Sequence, residues 1–222
     1  LRDARRIAIK QIIDSRAGDS RTSTPRAVRD VPRETLIAFA KRMPFSLSGD
    51  QIQCVKEIIE DLRSPIPMNR ILTGDVGTGK TAVFGLVAAA VHHHGGKVAI
   101  LVPNQLLVDQ IAADFEQWWP DIPVAKVKSG NRITDLGGNP VLIGTTALVF
   151  QLGKQSEWEA DLVIADEQHK QSTKIRESLL RTHSNLLEAT ATPIPRSAAL
   201  ITYGSMSIST LRECPVQKTI HT

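Results

Sequence analysis

The sequence has few cysteines and no apolar run long enough to cross a membrane. Its two cysteines, Cys54 and Cys214, lie far apart and belong to no C-x-x-C pair and no metal-ligand spacing. We therefore expect a reduced, cytoplasmic protein in which both thiols are small apolar core residues. Lysines or acidic residues interrupt every apolar stretch, so we expect no membrane partner. Internal repeats and low-complexity segments are also absent.

The composition is otherwise ordinary for a soluble globular protein. The 222 residues are 41% hydrophobic and 23% charged, with a formal net charge of +4. This length suits one large domain, or one domain with appendages. A mild basic excess fits a nucleic-acid partner but is common among soluble proteins. The sequence begins at Leu1 without a methionine or a signal-peptide pattern, so we expect part of a longer or processed protein.

The segment GDVGTGKT fits the phosphate-binding loop pattern G-x-x-x-x-G-K-[ST]. It follows an apolar run and precedes an Ala/Val-rich helical stretch, which makes a chance Gly-rich turn the weaker alternative. Its glycines let backbone amides and a helix N-terminus face a polyphosphate. Lys80 is placed to reach the terminal phosphates, and the Thr81 hydroxyl to bind magnesium. The candidate nucleotide-binding residues here are Gly74, Asp75, Val76, Gly77, Thr78, Gly79, Lys80 and Thr81.

A second acidic site follows the apolar run Leu162–Ala165. Asp166 would stand at the carboxyl end of that strand, where it can hold magnesium through a water molecule. Glu167 can orient and deprotonate an attacking water. In an open parallel sheet the phosphate loop and this strand end share one edge. A solvated acidic turn is the better interpretation of the pair alone, but the phosphate loop reverses that preference.

Apolar runs that alternate with helical patterns predict an α/β fold, a parallel sheet with helices on both faces. The predicted strands cover residues 69–73, 97–102, 124–128, 141–144, 161–165 and 185–190. The predicted helices cover residues 2–13, 33–41, 51–62, 81–93, 106–118 and 145–151. We expect residues 1–42 to form a basic, helical N-terminal extension and residues 43–222 to form the domain that carries the phosphate-binding loop.

Six segments, taken in order, resemble superfamily 2 helicases and more closely the RecG branch, with Mfd-type translocases as near relatives. They read MPFSLSGDQ, LTGDVGTGKT, LVPNQLLVDQ, IGTTALVFQ, VIADEQH and EATATPIPRSAALITYGSMSIS. The DEQH form and the TATPIPR string are the most specific of them. The resemblance covers the chain from Met43 to Thr222. It implies a RecA-like P-loop NTPase fold, the first of two motor domains, that uses ATP and Mg²⁺ and moves on DNA.

The resemblance assigns roles to individual residues around the nucleotide. Gln51 matches the residue that reads adenine, and an amide can donate to and accept from the base at once. Phe45 matches a position that packs on the base, with a core staple as the alternative. Lys80 and Thr81 match the phosphate and magnesium residues, and Asp166 and Glu167 match the magnesium-linked residue and the base. Three further residues match positions that couple ATP hydrolysis to DNA movement in the family: His169, Thr190 and Thr192.

Two further segments match regions that contact the nucleic-acid backbone. Hydroxyls, amides and helix N-termini suit phosphate contacts, and they carry no sequence information. Thr145 also suits the start of a helix, and one group can both cap a helix and bind a phosphate. The candidate DNA-binding residues are Pro103, Asn104, Gln105, Gly144, Thr145 and Thr146.

Some positions depart from the RecG pattern. DEQH is followed by Lys170-Gln171-Ser172-Thr173 instead of Arg-Phe-Gly-Val, and Thr146 stands where the family often has His. The polar loop at residues 129–139 is also shorter. These differences concern substrate choice more than ATP binding. The second motor domain and its arginine finger have no match here, so we expect this chain alone to bind ATP, to hydrolyse it poorly and to unwind nothing.

The sequence leaves other functions open. A P-loop kinase for a small molecule is one, and a non-catalytic ATP-gated scaffold in replication or recombination is another. Two local features also have alternatives. His92-His93-His94 fits a solvated helix end better than a metal site, because consecutive helical side chains diverge. Trp118-Trp119 fits core or rim packing better than a base-stacking platform.

Overall fold

The structure is a computed structural model that describes residues 30–128, 139–152, 158–166, 184–191 and 207–213. No helix within these ranges is both long and apolar enough to cross a membrane. The helices are α1 (Arg33–Ala40), α2 (Gly49–Arg63), α3 (Lys80–His93), α4 (Gln105–Trp118) and α5 (Thr146–Leu152). The strands are β1 (Asn69–Gly74), β2 (Val98–Leu101), β3 (Val124–Val127), β4 (Val141–Gly144), β5 (Leu162–Asp166), β6 (Asn185–Thr190) and β7 (Ser207–Leu211).

The strands form a seven-stranded sheet in the order β3-β4-β2-β5-β6-β1-β7. Every neighbouring pair is parallel. Parallel strands are joined by crossovers, and crossover helices bury the faces of the sheet, which is why β2 and β4 are buried along their whole length. All carboxyl ends meet at one edge. The predicted parallel α/β sheet is confirmed.

Two hydrophobic clusters show that both faces of the sheet are covered. Along β2, Ile100 belongs to the larger cluster with α1 to α4, while Ala99 and Leu101 belong to a second cluster with α5. This alternation follows from the two-residue period of a strand. Trp158 and Ala160 help close the second face.

Helix α3 is buried from Ala82 to Val91, with no polar face over that span. A helix that is apolar all round must lie inside the domain, and its small residues let neighbours approach closely. A Cβ built on Gly85 would lie 3.5 Å from the Trp119 ring. Trp118 and Trp119 are 8% and 0% exposed, so the packing interpretation is confirmed and a base-stacking platform is excluded for them.

Helix α2 begins where its sequence provides a capping box. The Ser48 hydroxyl accepts from the Gln51 N–H, and Gln51 Oε1 accepts from the Ser48 N–H at 2.9 Å. The buried face of the helix includes Cys54, for which burial first, then the nearby Glu57 and Asp50 charges, raise the pKa to about 11. A thiol with that pKa stays protonated and unreactive. Ile52 of the same helix is 44% exposed.

Helix α1 packs on the main core. Phe39 is buried in the larger cluster, and its carbonyl accepts from the Trp119 indole N–H at 3.0 Å. The predicted domain boundary at residue 42 stays a prediction. Residues 33–40 pack into the same core as the rest of the domain.

The end of α3 is less solvated than predicted. His92 Nε2 lies 2.6 Å from the Asn139 carbonyl oxygen, and His94 Nε2 lies 3.0 Å from the Thr35 hydroxyl. Both are half-buried, and burial lowers the pKa of each ring.

Candidate nucleotide-binding site

The predicted phosphate-binding loop lies between the end of β1 and the start of α3. Gly77 and Gly79 have φ angles of 88° and 80°, in the left-handed region that favours glycine. A Cβ added to Gly79 would also lie 2.3 Å from Nε2 of Gln51. Backbone conformation and lack of space thus both require glycine at position 79.

The loop is held by its own hydrogen bonds. The Thr78 hydroxyl donates to the Asp75 carbonyl oxygen at 2.8 Å, and the Thr78 N–H donates to the same oxygen at 3.2 Å. The Val76 N–H donates to Oδ1 of Asp75 at 2.7 Å. Thr78 is buried, whereas Asp75, Val76 and Gly77 are exposed at the surface. These bonds hold the turn, with the N-terminus of α3 at its end, where the helix dipole favours an anion.

Lys80 places its ammonium group over this loop. Nζ donates to the Gly74 carbonyl oxygen at 2.8 Å and to the Asp75 carbonyl oxygen at 3.2 Å. Thr81, the next residue, is half-buried in the first turn of α3. A cation and a hydroxyl thus stand side by side at the helix N-terminus. This arrangement suits a phosphate group together with a hard cation.

The topology brings Asp166 to the same edge. Asp166 is the last residue of β5 and pairs with Ala189 of β6, while Thr190 of β6 pairs with Thr73 of β1. Strand β6 therefore separates Asp166 from the phosphate loop by one strand, and Thr190 lies between them at the strand ends. Asp166 is half-buried. The remaining predicted catalytic and coupling residues, Glu167, His169 and Thr192, lie outside the described residues.

Gln51 lies against the phosphate loop, and its side chain is 1% exposed. Its Nε2 donates to the Thr78 carbonyl oxygen at 2.8 Å, while its Oε1 accepts from Ser48. By valence each end of the amide can form one more hydrogen bond. With the side chain buried and both ends bonded within the chain, the contact with adenine stays a prediction. Phe45 is 43% exposed and meets the Trp118 ring edge-on, with ring centroids 5.4 Å apart. It also lines an apolar cavity of about 690 Å³ together with Ile37 and Ile52.

The predicted DNA-binding residues meet at the ends of β2 and β4, which are neighbours that pair Leu101 with Gly144. Asn104 is the N-cap of α4, and its Oδ1 accepts from the Leu107 N–H at 3.0 Å. The Thr145 hydroxyl lies 3.5 Å from the Ala147 N–H at the start of α5. The structure therefore gives Asn104 and Thr145 a capping role, which leaves a phosphate contact open.

The other residues of this group have mixed surroundings. A Cβ on Gly144 would lie 2.9 Å from Cβ of Leu148 and 3.0 Å from Cβ of Val127, so close packing alone explains this glycine. Nε2 of Gln105 is buried without a hydrogen-bond partner within the described ranges. Pro103 and Thr146 are half-buried at the same edge.

Residues that the sequence did not single out connect the parts of the site. Arg70 of β1 is 7% exposed and binds Glu57 at 3.2 Å, Asp61 at 2.8 Å and Ser209 of β7 at 2.7 Å. Asp50 accepts hydrogen bonds from the backbone just after β7. No local pattern marks these residues, because their partners belong to other elements of the fold.

Comparison with known proteins agrees with this geometry. The family model described as DEAD/DEAH box helicase matches residues 48–202, which span the phosphate loop, Asp166 and the ends of β2 and β4. The chain belongs to the DEAD/DEAH box helicase family. Within this family the chain is similar to the RecG branch of superfamily 2. The curated relatives and a solved structure described next indicate this.

The curated relatives are named ATP-dependent DNA helicase RecG. The Bacillus subtilis (strain 168) protein is 38% identical over 198 residues, covering 82% of this chain and 28% of the relative. The Aquifex aeolicus (strain VF5) protein is 37% identical over 201 residues, covering 84% of this chain and 25% of the relative. The chain thus spans less than a third of the length of these relatives.

Solved structures show the same fold. A structure of RecG bound to a three-way DNA junction matches 93% of this chain and 28% of that chain, with 30% identity and a TM-score of 0.71. The UvsW helicase from bacteriophage T4 matches 93% of this chain and 77% of that chain, with 18% identity and a TM-score of 0.61. The second likeness concerns the fold alone. Together they confirm the RecA-like helicase fold of this family.

Proposed function

We propose that this chain is the ATP-binding first motor domain of a RecG-like, ATP-dependent DNA helicase or translocase. The single observation that supports it most is the joint placement of the Gly74–Lys80 loop and Asp166 at one edge of a parallel sheet. The RecG names of the curated relatives support DNA as the substrate. Recombination, repair or replication-fork remodelling in the cytoplasm is the corresponding cellular role.

ATP would bind with its phosphates on the loop amides and the Lys80 ammonium. Phosphate oxygens then replace the Gly74 and Asp75 carbonyl oxygens as partners of Nζ. Gln51, with one donor and one acceptor position left, reads the adenine edge, and Phe45 packs on the base. Thr81 is positioned by α3, whose first turn also faces the phosphates.

Magnesium suits the donors available at this edge. The Thr81 hydroxyl and the Asp166 carboxylate offer the hard oxygen ligands that Mg²⁺ prefers. No cluster of three or more His, Cys, Asp or Glu able to hold a metal occurs within the described ranges. Mg²⁺ in nucleotide sites is usually held by one or two protein oxygens together with phosphates and water, and there it would neutralise charge on the phosphates. Glu167 would orient and deprotonate the attacking water.

DNA would lie across the ends of β2 and β4. The first turns of α4 and α5 present amides and hydroxyls that suit phosphate oxygens without reading sequence. Pro103, Asn104, Gln105, Gly144, Thr145 and Thr146 would supply these contacts. His169, Thr190 and Thr192 would transmit hydrolysis to DNA movement. A second motor domain of the same protein would close on the ATP and complete the site with an arginine.

The test is ATP hydrolysis with and without branched DNA, by the chain alone and by the full-length protein. We expect DNA-stimulated hydrolysis in the full-length protein and weak hydrolysis by the chain alone. Lys80→Ala should reduce the full-length rate by about a hundredfold or more. Lys97→Ala, at the amino end of β2 on the opposite edge, is the control and should retain the rate.

Glu167→Gln separates catalysis from scaffolding. In the full-length protein it should trap bound ATP and abolish turnover, because the water then lacks its base. Unchanged hydrolysis would favour a non-catalytic ATP-gated scaffold. DNA-independent transfer of phosphate to a small molecule would instead favour a kinase. Robust DNA-stimulated turnover by the chain alone would contradict the need for a second motor domain.

A further inference from the structure

The first turn of α2 contacts two distant parts of the domain. Gln51 Nε2 donates to the Thr78 carbonyl oxygen of the phosphate loop, in a buried hydrogen bond of 2.8 Å. The preceding residue, Asp50, uses Oδ2 to accept from the N–H groups of Arg212 at 2.8 Å and Glu213 at 3.1 Å. Those N–H groups belong to the chain directly after β7. Two adjacent residues therefore connect the phosphate loop to the segment that leaves the sheet.

The phosphate loop and the end of β7 are also in direct contact. The register of β1 and β7 pairs Gly74 with Leu211. A Cβ on Gly74 would lie 2.8 Å from Cβ of Leu211 and 2.6 Å from the Thr78 hydroxyl oxygen. The first residue of the loop is thus wedged between β7 and the rest of the loop. The α2 turn, the phosphate loop and the end of β7 form a closed ring of contacts.

Charge strengthens the contact between α2 and the end of β7. A carboxylate that accepts backbone N–H groups makes shorter and stronger hydrogen bonds than a neutral acceptor. Glu213 also lies over the start of α2, since a Cβ on Gly49 would be 3.9 Å from its Oε1. The N-terminus of a helix favours negative charge within its first turn. Asp50 and Glu213 therefore both favour this position of the departing chain.

We propose that Asp50 is a positioning residue that couples nucleotide binding to the segment leaving β7. The proposal rests on the proposed function, in which a second motor domain of the same protein closes on the ATP. The α2 turn is already held by the bonds of Gln51 to Thr78 and Ser48, and nucleotide on the phosphate loop restrains it further through the same bonds. Asp50 then holds the Arg212 and Glu213 amides more firmly. Coupling of this kind needs ordering and no large movement.

The first test is hydrogen exchange at the Arg212 and Glu213 amides in the 222-residue chain. ADP or a non-hydrolysable ATP analogue, each with Mg²⁺, should slow exchange at both amides by about threefold or more. Asp50→Ala should exchange fast with or without nucleotide. Asp50→Asn keeps a carbonyl acceptor and should restore at least about half of the response. Glu60→Ala, exposed on the same helix, is the control and should respond like the unaltered chain.

The second test is steady-state kinetics of the full-length protein. Asp50→Ala should lower DNA-stimulated kcat by about fivefold, which corresponds to about 1 kcal/mol, while KM for ATP changes by less than about twofold. Asp50→Asn should recover most of the rate. A larger effect on KM than on kcat, or no recovery with Asn, would overturn the coupling role. Both variants should keep the thermal midpoint within a few degrees, as measured by circular dichroism.

Nucleotide binding, measured with a fluorescent ATP analogue, separates the two proposals. Binding without added protection at Arg212 and Glu213 overturns the coupling proposal alone and leaves the proposed function intact. A persistent nucleotide response in Asp50→Ala also overturns it. Failure of the unaltered chain to bind ATP overturns the proposed function, and with it the coupling. Should Asp50→Ala not fold, the response of Asp50→Asn decides between these outcomes.

Discussion

The two halves of the sheet's carboxyl edge are built differently. In the phosphate-loop half, formed by β1, β7 and the first turn of α2, side chains bind segments far away in the sequence. Gln51 reaches Thr78, and Asp50 reaches Arg212. In the capping half, formed by the ends of β2 and β4 with the first turns of α4 and α5, Asn104 and Thr145 bond to their own helices.

The difference follows from what each half is proposed to hold. A compact polyphosphate gains from amides and a lysine fixed in advance, because ordering them at the moment of binding would weaken affinity. An extended, sequence-independent backbone needs exposed polar groups at helix ends instead. The capping half also exposes apolar side chains, with Leu106 at 76% and Phe150 at 67%. The phosphate-loop half therefore adds long-range hydrogen bonds to its local ones, whereas Asn104 and Thr145 in the capping half bond only to their own helices.

The largest expected effect comes from Gly79→Ala in the phosphate-loop half. The added Cβ would lie 2.3 Å from Gln51 Nε2, on a residue with φ of 80°. We expect a loss of about 2 kcal/mol or more in the free energy of unfolding, from the left-handed backbone and the displaced amide. ATP affinity should fall by about tenfold or more, because the loop and Gln51 move together.

Gly95→Ala is the matched control for that experiment. Gly95 has a similar φ of 88°, but nothing lies within 4 Å of an added Cβ. It should lose about 1 kcal/mol from backbone strain alone and keep its ATP affinity. Chemical denaturation and titration with a fluorescent ATP analogue give both quantities. Equal losses of ATP affinity in the two variants would show that the Gln51 contact is unimportant.

How far the sequence predicted this structure depends on the range of the contacts involved. The phosphate loop was predicted to within one residue, because its pattern itself encodes a strand, a turn with glycines and a helix start. Strand β7 was not predicted, because Ser207–Leu211 is short and alternates with hydroxyl residues. It forms by pairing with β1, a contact that no local pattern contains.

Side-chain partners were harder to predict than strands. The bond between Asp50 and Arg212 joins residues 162 positions apart. His92 and His94 were expected in solvent, yet Asn139 and Thr35 reach them from other parts of the fold. The roles of Gln51 and Asp166 remain predictions that their placement supports. Glu167, His169 and Thr192 remain predictions outside the described residues.

An intermediate effect is expected in the capping half, at Asn104. Asn104→Ala removes the N-cap of α4 and should cost about 1 kcal/mol in the free energy of unfolding. Asn104→Asp keeps a capping oxygen and should leave stability unchanged. In the full-length protein, however, its negative charge should weaken DNA binding several-fold at low salt by repelling phosphate. ATP affinity should be unaffected in both variants.

Fluorescence anisotropy with labelled DNA and chemical denaturation separate these two effects. If Asn104→Asp bound DNA as tightly as the unaltered protein, the residue would serve only as a cap. The DNA would then follow another path, and the proposed role of the capping half would be wrong. A loss of ATP affinity in either variant would instead contradict the independence of the two halves.

The smallest effect concerns acid stability at the Arg70 cluster, which joins α2 to β1 and β7, the strands that carry the phosphate-loop half. Burial opposes ionisation of Glu57, but hydrogen bonds from Ser209 and Gln53 and the charge of Arg70 outweigh it and lower its pKa. Because the folded pKa is lowered, Glu57 stabilises the fold at neutral pH. That stabilisation is lost as pH falls below the ordinary glutamate pKa towards the folded pKa. Glu57→Gln should therefore lower stability at neutral pH and flatten its decline in acid.

Asp109→Asn is the control from the other end of the sheet. Desolvation is the largest single effect on the pKa of Asp109 and raises it, but the hydrogen bonds and charges of Lys128 and Lys126 together outweigh it and lower the pKa. These side chains are 39–44% exposed. Salt screens exposed pairs more than partly buried ones. Thermal unfolding against pH, at low and high ionic strength, should show that only the Glu57 contribution survives high salt. If the two variants were equally sensitive to salt, the ion pairs of Arg70 would be screened by solvent ions. They would then contribute no more to stability than an exposed surface pair.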